Sequence, residues 1–385
     1  MPDAKAFVDY YAANNISPVS QDISDIDRHL QRRSSLLRQL GVPPAFIRGR
    51  SIIEFGPGGG HNAVHLARLG PAAYVLVDGN PTGLELLRAN LAEHAPACAP
   101  RIELALIENF ASEERFDLVL CEGVIPFQND PAAMARQVAS FVVPGGVLVI
   151  TAVDSVSCLA DLLRKIYGQA ILTGSRESLA DQAERLIPVF KQHLETLPAM
   201  SRPHKDWILD TILQPFVGQL FSLASAMDAL ADDFVFYGSS PVYMTDWRWY
   251  KSLFGPARAF GQRAREGYLE NVHNLLDHRF VWPPRNPEDN AALLAHGDAI
   301  YALCRTRQFA ITPQTLDEVA GHVEAIADLV AGFAGQTAQA LRDYAVGARG
   351  MAKGNPPGDL GAFRSLWGRG QQYVSFLRND PDRGL

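Results

Sequence analysis

The chain has 385 residues, 47% of them hydrophobic and 20% charged, with a formal net charge of −7. That is the balance of a globular protein with enough apolar residues for one large domain or two ordinary ones. No block of Lys or Arg occurs, so nothing favours a broad phosphate-binding surface or a nucleic-acid partner. Cys98, Cys121, Cys158 and Cys304 stand far apart. Without a C-x-x-C pair they give no zinc knuckle or redox motif, and reduced thiols are expected. Met1 to Asn15 lacks the apolar core of a secretory signal. The longest apolar run, Phe141 to Val153, is broken by Pro144, Gly145 and Gly146 and is too short to cross a bilayer. The expectation is a cytoplasmic protein with no membrane partner.

Residues from about 4 to 40 carry Phe7, Tyr10, Tyr11, Ile23, Ile26, Leu30, Leu36, Leu37 and Leu40 at roughly helical spacing, which predicts helices. Ser24 or Asp25 caps the second of them, and Pro43-Pro44 ends the pattern. From Ser51 to Val153 short apolar runs alternate with helical ones. Ile52-Ile53, Tyr74 to Val77, Ile102 to Leu106, Phe116 to Cys121 and Val147 to Val153 predict strands. Asn62 to Leu69, Gly83 to Glu93 and Pro131 to Phe141 predict the helices between them. Continuous apolar strands alternating with helices imply a parallel sheet covered on both faces.

Beyond Val153 the pattern turns mostly helical: Ser157 to Tyr167, Ser178 to Leu194, Lys205 to Asp228, Asp246 to Leu276, Asn290 to Cys304 and Thr315 to Gly347. Two further strands are predicted, Phe234 to Tyr237 and Gln372 to Leu377. The fold class that results is α/β: a doubly wound, mostly parallel seven-stranded sheet with helical insertions forming a cap or lid. The expected divisions are N-terminal helices at 1–45, a nucleoside-binding core at 46–153, a helical insertion at 154–232, a strand at 233–240, a helical cap at 241–366, and a final strand and tail at 367–385.

Glu54-Phe55-Gly56-Pro57-Gly58-Gly59-Gly60 follows the first strand and opens a helix. Missing Cβ atoms let the backbone turn sharply and approach a ligand. The helix start behind them offers unpaired N–H groups that suit a carboxylate. The dinucleotide fingerprint G-x-G-x-x-G is not met, because the third glycine falls at Gly60 and position 61 is His. The second strand ends in Asp78, where a carboxylate can accept from both hydroxyls of a ribose.

The run E-x-G-x-G-x-G, with Asp78 behind it, resembles the first motif of the Rossmann-like (class I) S-adenosylmethionine-dependent methyltransferases. The resemblance covers about 100 residues, Ser51 to Val153, plus the last strand, and is specific to the superfamily rather than to a substrate. It implies S-adenosylmethionine (SAM) as cofactor, held by Glu54, Gly56, Gly58, Gly60, Asn62, Asp78, Gly79 and Asn80. Glu108 or Asn109 then stands where the family accepts from the adenine amine, and Phe110 flanks the ring. Glu122 lies in the loop beside the sulfonium. Glu122 to Phe127 lacks the N-P-P-Y-like run of enzymes that methylate nucleic-acid bases. No acidic cluster supports a magnesium site, so no metal is expected.

Three loops lie where substrates bind, outside the carboxyl ends of strands: Glu122 to Asn129, Asp154 to Ser157 and Gly238 to Tyr243. The last runs into Thr245-Asp246-Trp247-Arg248-Trp249-Tyr250. Tyr243 and Asp246 are candidate catalytic or orienting groups, and His204 is a candidate general base. The alternatives are capping at helix starts for Asp246 and His204, and packing of a lid on the sheet for Trp247 and Trp249. Arg369 is a candidate for a salt bridge or an acidic substrate.

Methyl transfer is an in-line displacement in which the protein mainly positions the nucleophile, so no further signature is required. A methyltransferase acting on a small molecule or peptide is the leading expectation, with a homodimer as a possible assembly. An enzyme that transfers the aminocarboxypropyl arm or cyclises SAM, releasing methylthioadenosine, is the alternative. A non-catalytic SAM-binding interaction protein is the second.

Overall fold

A computed structural model describes Tyr10 and residues 21–197, 202–215 and 218–380. The helix expected around Phe7 and Tyr11 otherwise lies outside the described residues. The described chain forms two compact units. The first comprises residues up to 153, then 218–268 and 371–380. The second comprises 154–215 and Leu269–Gly370.

The first unit holds the whole sheet. Its strands are β1 (Ser51–Phe55), β2 (Ala73–Asp78), β3 (Arg101–Leu104), β4 (Phe116–Cys121), β5 (Val142–Ala152), β6 (Phe234–Ser240) and β7 (Gln372–Arg378), in the order β3-β2-β1-β4-β5-β7-β6. β1 to β5 pair in parallel, and β7 runs antiparallel between β5 and β6. The expected α/β class and seven strands are present. Ile52, Ile53, Leu118, Val119 and Leu120 are fully buried, as strands covered on both faces must be. Helix Ile26–Gln39 and its C-cap lay Leu37 and Leu40 on a core shared with Ile52, Leu76, Leu118 and Val149. Asp25 caps it, accepting from the Arg28 amide at 3.0 Å. Helix Pro81–His94 starts on Asn80, whose side chain accepts from Thr82 N. Its proline at the first turn gives up a donor the helix does not use.

Several boundaries differ from expectation. β5 starts at Val142, five residues early, because the Pro144-Gly145-Gly146 segment is a bulge within the strand. The pairing jumps from Phe116↔Val142 to Leu118↔Val147. The expected helix from Lys205 splits: His204–Trp207 passes into a wider π turn, Ile208–Leu213, and Ser222 caps a new helix, Leu223–Leu230. Pro215 forces Gln214 into an extended conformation and ends the turn. The helix expected from Asp246 begins only at Phe260. Asp246 binds the Arg248 amide instead, and Gly255-Pro256 carries a positive φ of 54° into a 3₁₀ turn.

The second unit is helical, with Leu159–Ile171, Leu179–Leu194, Pro287–Arg307, Pro313–Val330 and Gly335–Ala352 as its long elements. The run expected from Thr315 to Gly347 is therefore two helices, broken around Gly332. Arg164 and Lys165 are fully buried here. Arg164 donates to the carbonyls of Ala160, Phe363, Arg364 and Leu366 and lies 3.5 Å over the Trp367 ring. Lys165 donates to the carbonyls of Thr211, Ile212 and Gln214, closing the end of the π turn. All four cysteines are free thiols. Among the described residues no helix is long and apolar enough to cross a membrane.

Candidate active site

The carboxyl ends of β1, β2 and β4 meet at the glycine loop. Gly56, Gly58 and Gly60 have φ of 69°, 53° and 77°, a region that costs any other residue. A Cβ on Gly60 would stand 3.1 Å from Leu87 Cα, and one on Gly56 would run into the Val124 side chain. Gly83, at the start of helix Pro81–His94, lies against the Gly58 carbonyl, so that helix and loop pack backbone to backbone. Asn90 on the same helix donates to the Gly59 carbonyl at 2.7 Å.

Asp78 holds this loop in shape. Its Oδ2 accepts from Gly58 N at 2.8 Å and its Oδ1 from Asn80 N at 2.7 Å. Burial raises its pKa, partly offset by the Asn80 and Gly58 amides. Each oxygen keeps lone-pair capacity for a sugar hydroxyl. The amides of the three glycines are not free for a ligand carboxylate. Gly56 N donates to the Val77 carbonyl, Gly58 N to Asp78 and Gly60 N to the Pro57 carbonyl. The sharp turn consumes these donors itself.

A buried charge cluster adjoins the loop. Arg33, from helix Ile26–Gln39, makes a two-pronged pair with Glu122, Nη1 to Oε2 at 3.0 Å and Nη2 to Oε1 at 2.7 Å. The two side chains are 7% and 8% exposed. Asn62 Nδ2 also donates to Glu122, at 3.3 Å. Glu54 on β1 accepts a short hydrogen bond from the Tyr74 hydroxyl of β2. Burial, and then the Glu122 charge, push Glu54 up to about 7. Tyr373 on β7 is raised to about 12, first by burial and then by Glu122. Glu122 and Glu54 face the one guanidinium, and Asp78 adjoins Glu54, so three carboxyl groups stand near a single cation. The surplus of acid suits a ligand with positive charge.

Histidines back the cluster. His29 Nε2 lies 2.9 Å from the His61 carbonyl, and His65 Nε2 lies 2.9 Å from the Ser34 hydroxyl. Burial, and then Arg33, push His65 down to about 4, so it stays neutral as a packing group. Burial lowers His61 as well.

The structure thus gathers Glu54, Gly56, Gly58, Gly60, Asn62, Asp78, Gly79, Asn80 and Glu122 in one place. Glu108 and Asn109 are exposed on a 3₁₀ turn after β3, where Ala105 N donates to the Asp78 carbonyl. Phe110 packs its ring on Phe55 at 5.6 Å and Phe141 at 5.4 Å. The candidate catalytic residues fare differently. Tyr243 is buried edge-on against Tyr268 at 5.4 Å. Asp246 is held by Arg248 Nε and Nη2, and those hydrogen bonds draw it down to about 2, so it cannot collect a proton at neutral pH. Arg263 lies 4.0 Å away on the same carboxylate. His204 belongs to the helical unit and opens a single-turn helix there. Trp247 and Trp249, expected as packing residues, are 92% and 66% exposed. Arg369 donates to the Asn274 and Phe280 carbonyls, not to a carboxylate.

Arg33, Tyr74 and Asn90 were not foreseen. Arg33 had a signal: His29, Arg33 and Leu37 recur every four residues and form the buried face of their helix. Tyr74 had none, because its approach to Glu54 depends on the β1–β2 register, which sets Ile52 opposite Tyr74 and Glu54 opposite Leu76.

A mostly parallel sheet with a glycine turn after its first strand and an acid closing its second is the arrangement in which α/β domains hold nucleosides. Residues 25–193 match the family described as "Methyltransferase domain". The ubiquinone biosynthesis O-methyltransferase of Neisseria meningitidis serogroup C (strain 053442) is 31% identical over 112 residues, 29% of this chain and 47% of that protein. The match thus spans about half the length of this curated relative. Magnesium protoporphyrin IX methyltransferase (ChlM) from Synechocystis PCC 6803, solved with bound SAM, is 16% identical over 40% of this chain and 77% of its own, with a TM-score of 0.33. The N-methyltransferase NodS from Bradyrhizobium japonicum WM9, solved with S-adenosyl-L-homocysteine (SAH), is 19% identical over 39% and 76%, with a TM-score of 0.30. Residues 25–193, somewhat less than half of the chain, are thus similar to a methyltransferase domain.

Proposed function

We propose that the chain transfers the methyl group of SAM to a small-molecule or peptide acceptor. The reading rests on one observation above all: Asp78 clamps the glycine turn through Gly58 and Asn80, beside a buried cluster with more carboxyl groups than guanidinium. The donor set fits the cofactor. Asp78 retains lone pairs for ribose hydroxyls, and Glu54 and Glu122 match a ligand bearing a sulfonium and an ammonium. Gly56 and Gly60 let the Val124 and Leu87 side chains close on the turn, where a Cβ would collide with them. When bound, the cofactor supplies an activated methyl group on a positively charged sulfur.

The protein's own part is positioning. Tyr74 orients Glu54, Arg33 fixes Glu122, and Asn90 steadies the loop carbonyl at Gly59. Asp246 is spent on Arg248, which favours a reaction driven by proximity with an acceptor that needs no strong base. The helical insertions as a cap, a homodimer and a cytoplasmic location stay proposals resting on the sequence pattern. Incubating the protein with SAM and a cell extract, then weighing the nucleoside product, tests the reading. SAH supports methyl transfer. Methylthioadenosine would point to transfer of the aminocarboxypropyl arm or cyclisation, and binding without turnover to a non-catalytic role.

A further inference from the structure

The loop between β6 and helix Phe260–Asn271 carries apolar side chains that the fold does not use. Trp247 is 92% exposed, Phe254 73%, Tyr250 71% and Trp249 66%. Four large rings within eight residues are far more than the scattered apolar exposure of an ordinary surface. The loop has only two 3₁₀ turns, Tyr250–Ser252 and Gly255–Arg258, and neither has a buried residue.

The same stretch is basic in an acidic protein. From Trp247 to Arg265 there is no Asp or Glu, and five cations occur: Arg248, Lys251, Arg258, Arg263 and Arg265. The whole chain, by contrast, has a net charge of −7. Internal pairing accounts for three of the five. Arg248 binds Asp246, Arg263 leans on the same carboxylate, and Arg265 pairs with Asp228. Lys251 and Arg258 have no ion-pair partner among the described residues. Both are exposed, and Lys251 lies 5.3 Å from the centre of the Trp249 ring.

We propose that this loop docks the protein on an anionic phospholipid surface, with Trp247, Trp249, Tyr250 and Phe254 seated at headgroup level and Lys251 and Arg258 against the phosphates. Indole and phenol rings favour that layer because one end is apolar and the other polar. Cations flanking them gain from the negative surface potential. Two protruding types of side chain on a short loop suit a soft, flat, charged layer better than the close-fitting pocket a protein partner needs around buried anchors. The association is peripheral. It goes beyond the sequence expectation of no membrane partner and requires no spanning helix.

The test uses the full chain with vesicles of phosphatidylcholine alone and of phosphatidylcholine mixed with phosphatidylglycerol. Co-sedimentation with the mixed vesicles, weakened by salt, and a blue shift of tryptophan emission are expected. Lys251→Ala/Arg258→Ala should weaken binding roughly 25-fold, from about fivefold for each cation removed. Trp247→Ala/Trp249→Ala should abolish the blue shift while leaving the circular dichroism spectrum unchanged. No sedimentation with anionic vesicles, equal binding to both compositions, or binding unchanged in the two variants would overturn the proposal. So would a concentration-dependent dimer that the tryptophan variant dissolves, since the rings would then form an interface between copies.

Discussion

Replacing Arg33 with methionine leaves Glu122 as a carboxylate with most of its solvent already removed. Because the pair is 7% and 8% exposed, it falls in the class where losing one partner costs about 3–5 kcal/mol, not the ~0–1 kcal/mol of a surface pair. Asn62 still supplies one donor at 3.3 Å, which places the expected loss near the lower end, about 3 kcal/mol. Changing both residues, Arg33→Met with Glu122→Leu, removes the stranded charge and should return the protein to within about 1 kcal/mol of the original. Urea unfolding, with hydrogen exchange of the β1 and β4 amides as the local readout, measures the cycle. SAH calorimetry separates the two roles of the pair: stability recovers in the double variant, but affinity does not, because the charge pattern is gone. A loss below about 1 kcal/mol in the single variant would show that the pair is solvated, and the argument from burial would fail.

The remaining expectations concern the loop and its acids. Asp78→Ala removes the acceptor for two backbone amides and the sugar acid together, and SAH binding should weaken by at least about 100-fold in calorimetry. Undiminished binding would remove Asp78 from the site. Gly60→Ala must place a Cβ at φ 77° within 3.1 Å of the Leu87 backbone, and should cost about 1–3 kcal/mol in urea unfolding with loss of ligand binding. Glu54 has its folded pKa raised from 4.5 to about 7, so the folded state holds a proton that the unfolded chain releases. Stability should therefore fall as pH rises from about 4.5 to about 7, by a total near 3 kcal/mol, and Glu54→Gln should flatten that slope. SAM binding should strengthen as pH rises through about 7, where Glu54 gains its charge in the folded state. A slope equal in the wild type and in Glu54→Gln would assign the titration to another group.

The chain's own pattern was enough to mark the candidate nucleoside-binding half. Strand and helix periods from Ser51 to Val153, the glycines after β1 and the acid closing β2 are local properties, and a residue's neighbours in sequence dictate them. The family resemblance rested on those same residues. What lay beyond reach was decided by partners distant in the chain. Arg33 meets Glu122 across 89 positions, and Tyr74 meets Glu54 only because two strands pair in one register. The glycine amides, ready donors when read locally, turned out to be consumed by Val77, Pro57 and Asp78. Asp246 looked like a catalytic or orienting group until Arg248 closed on it, and Trp247 read as a packing residue until the loop around Gly255-Pro256 refused to form a helix. Sequence spacing reports which face a residue shares with its near neighbours. Which charges are paired, and which rings stay in water, follows only once packing brings remote segments together.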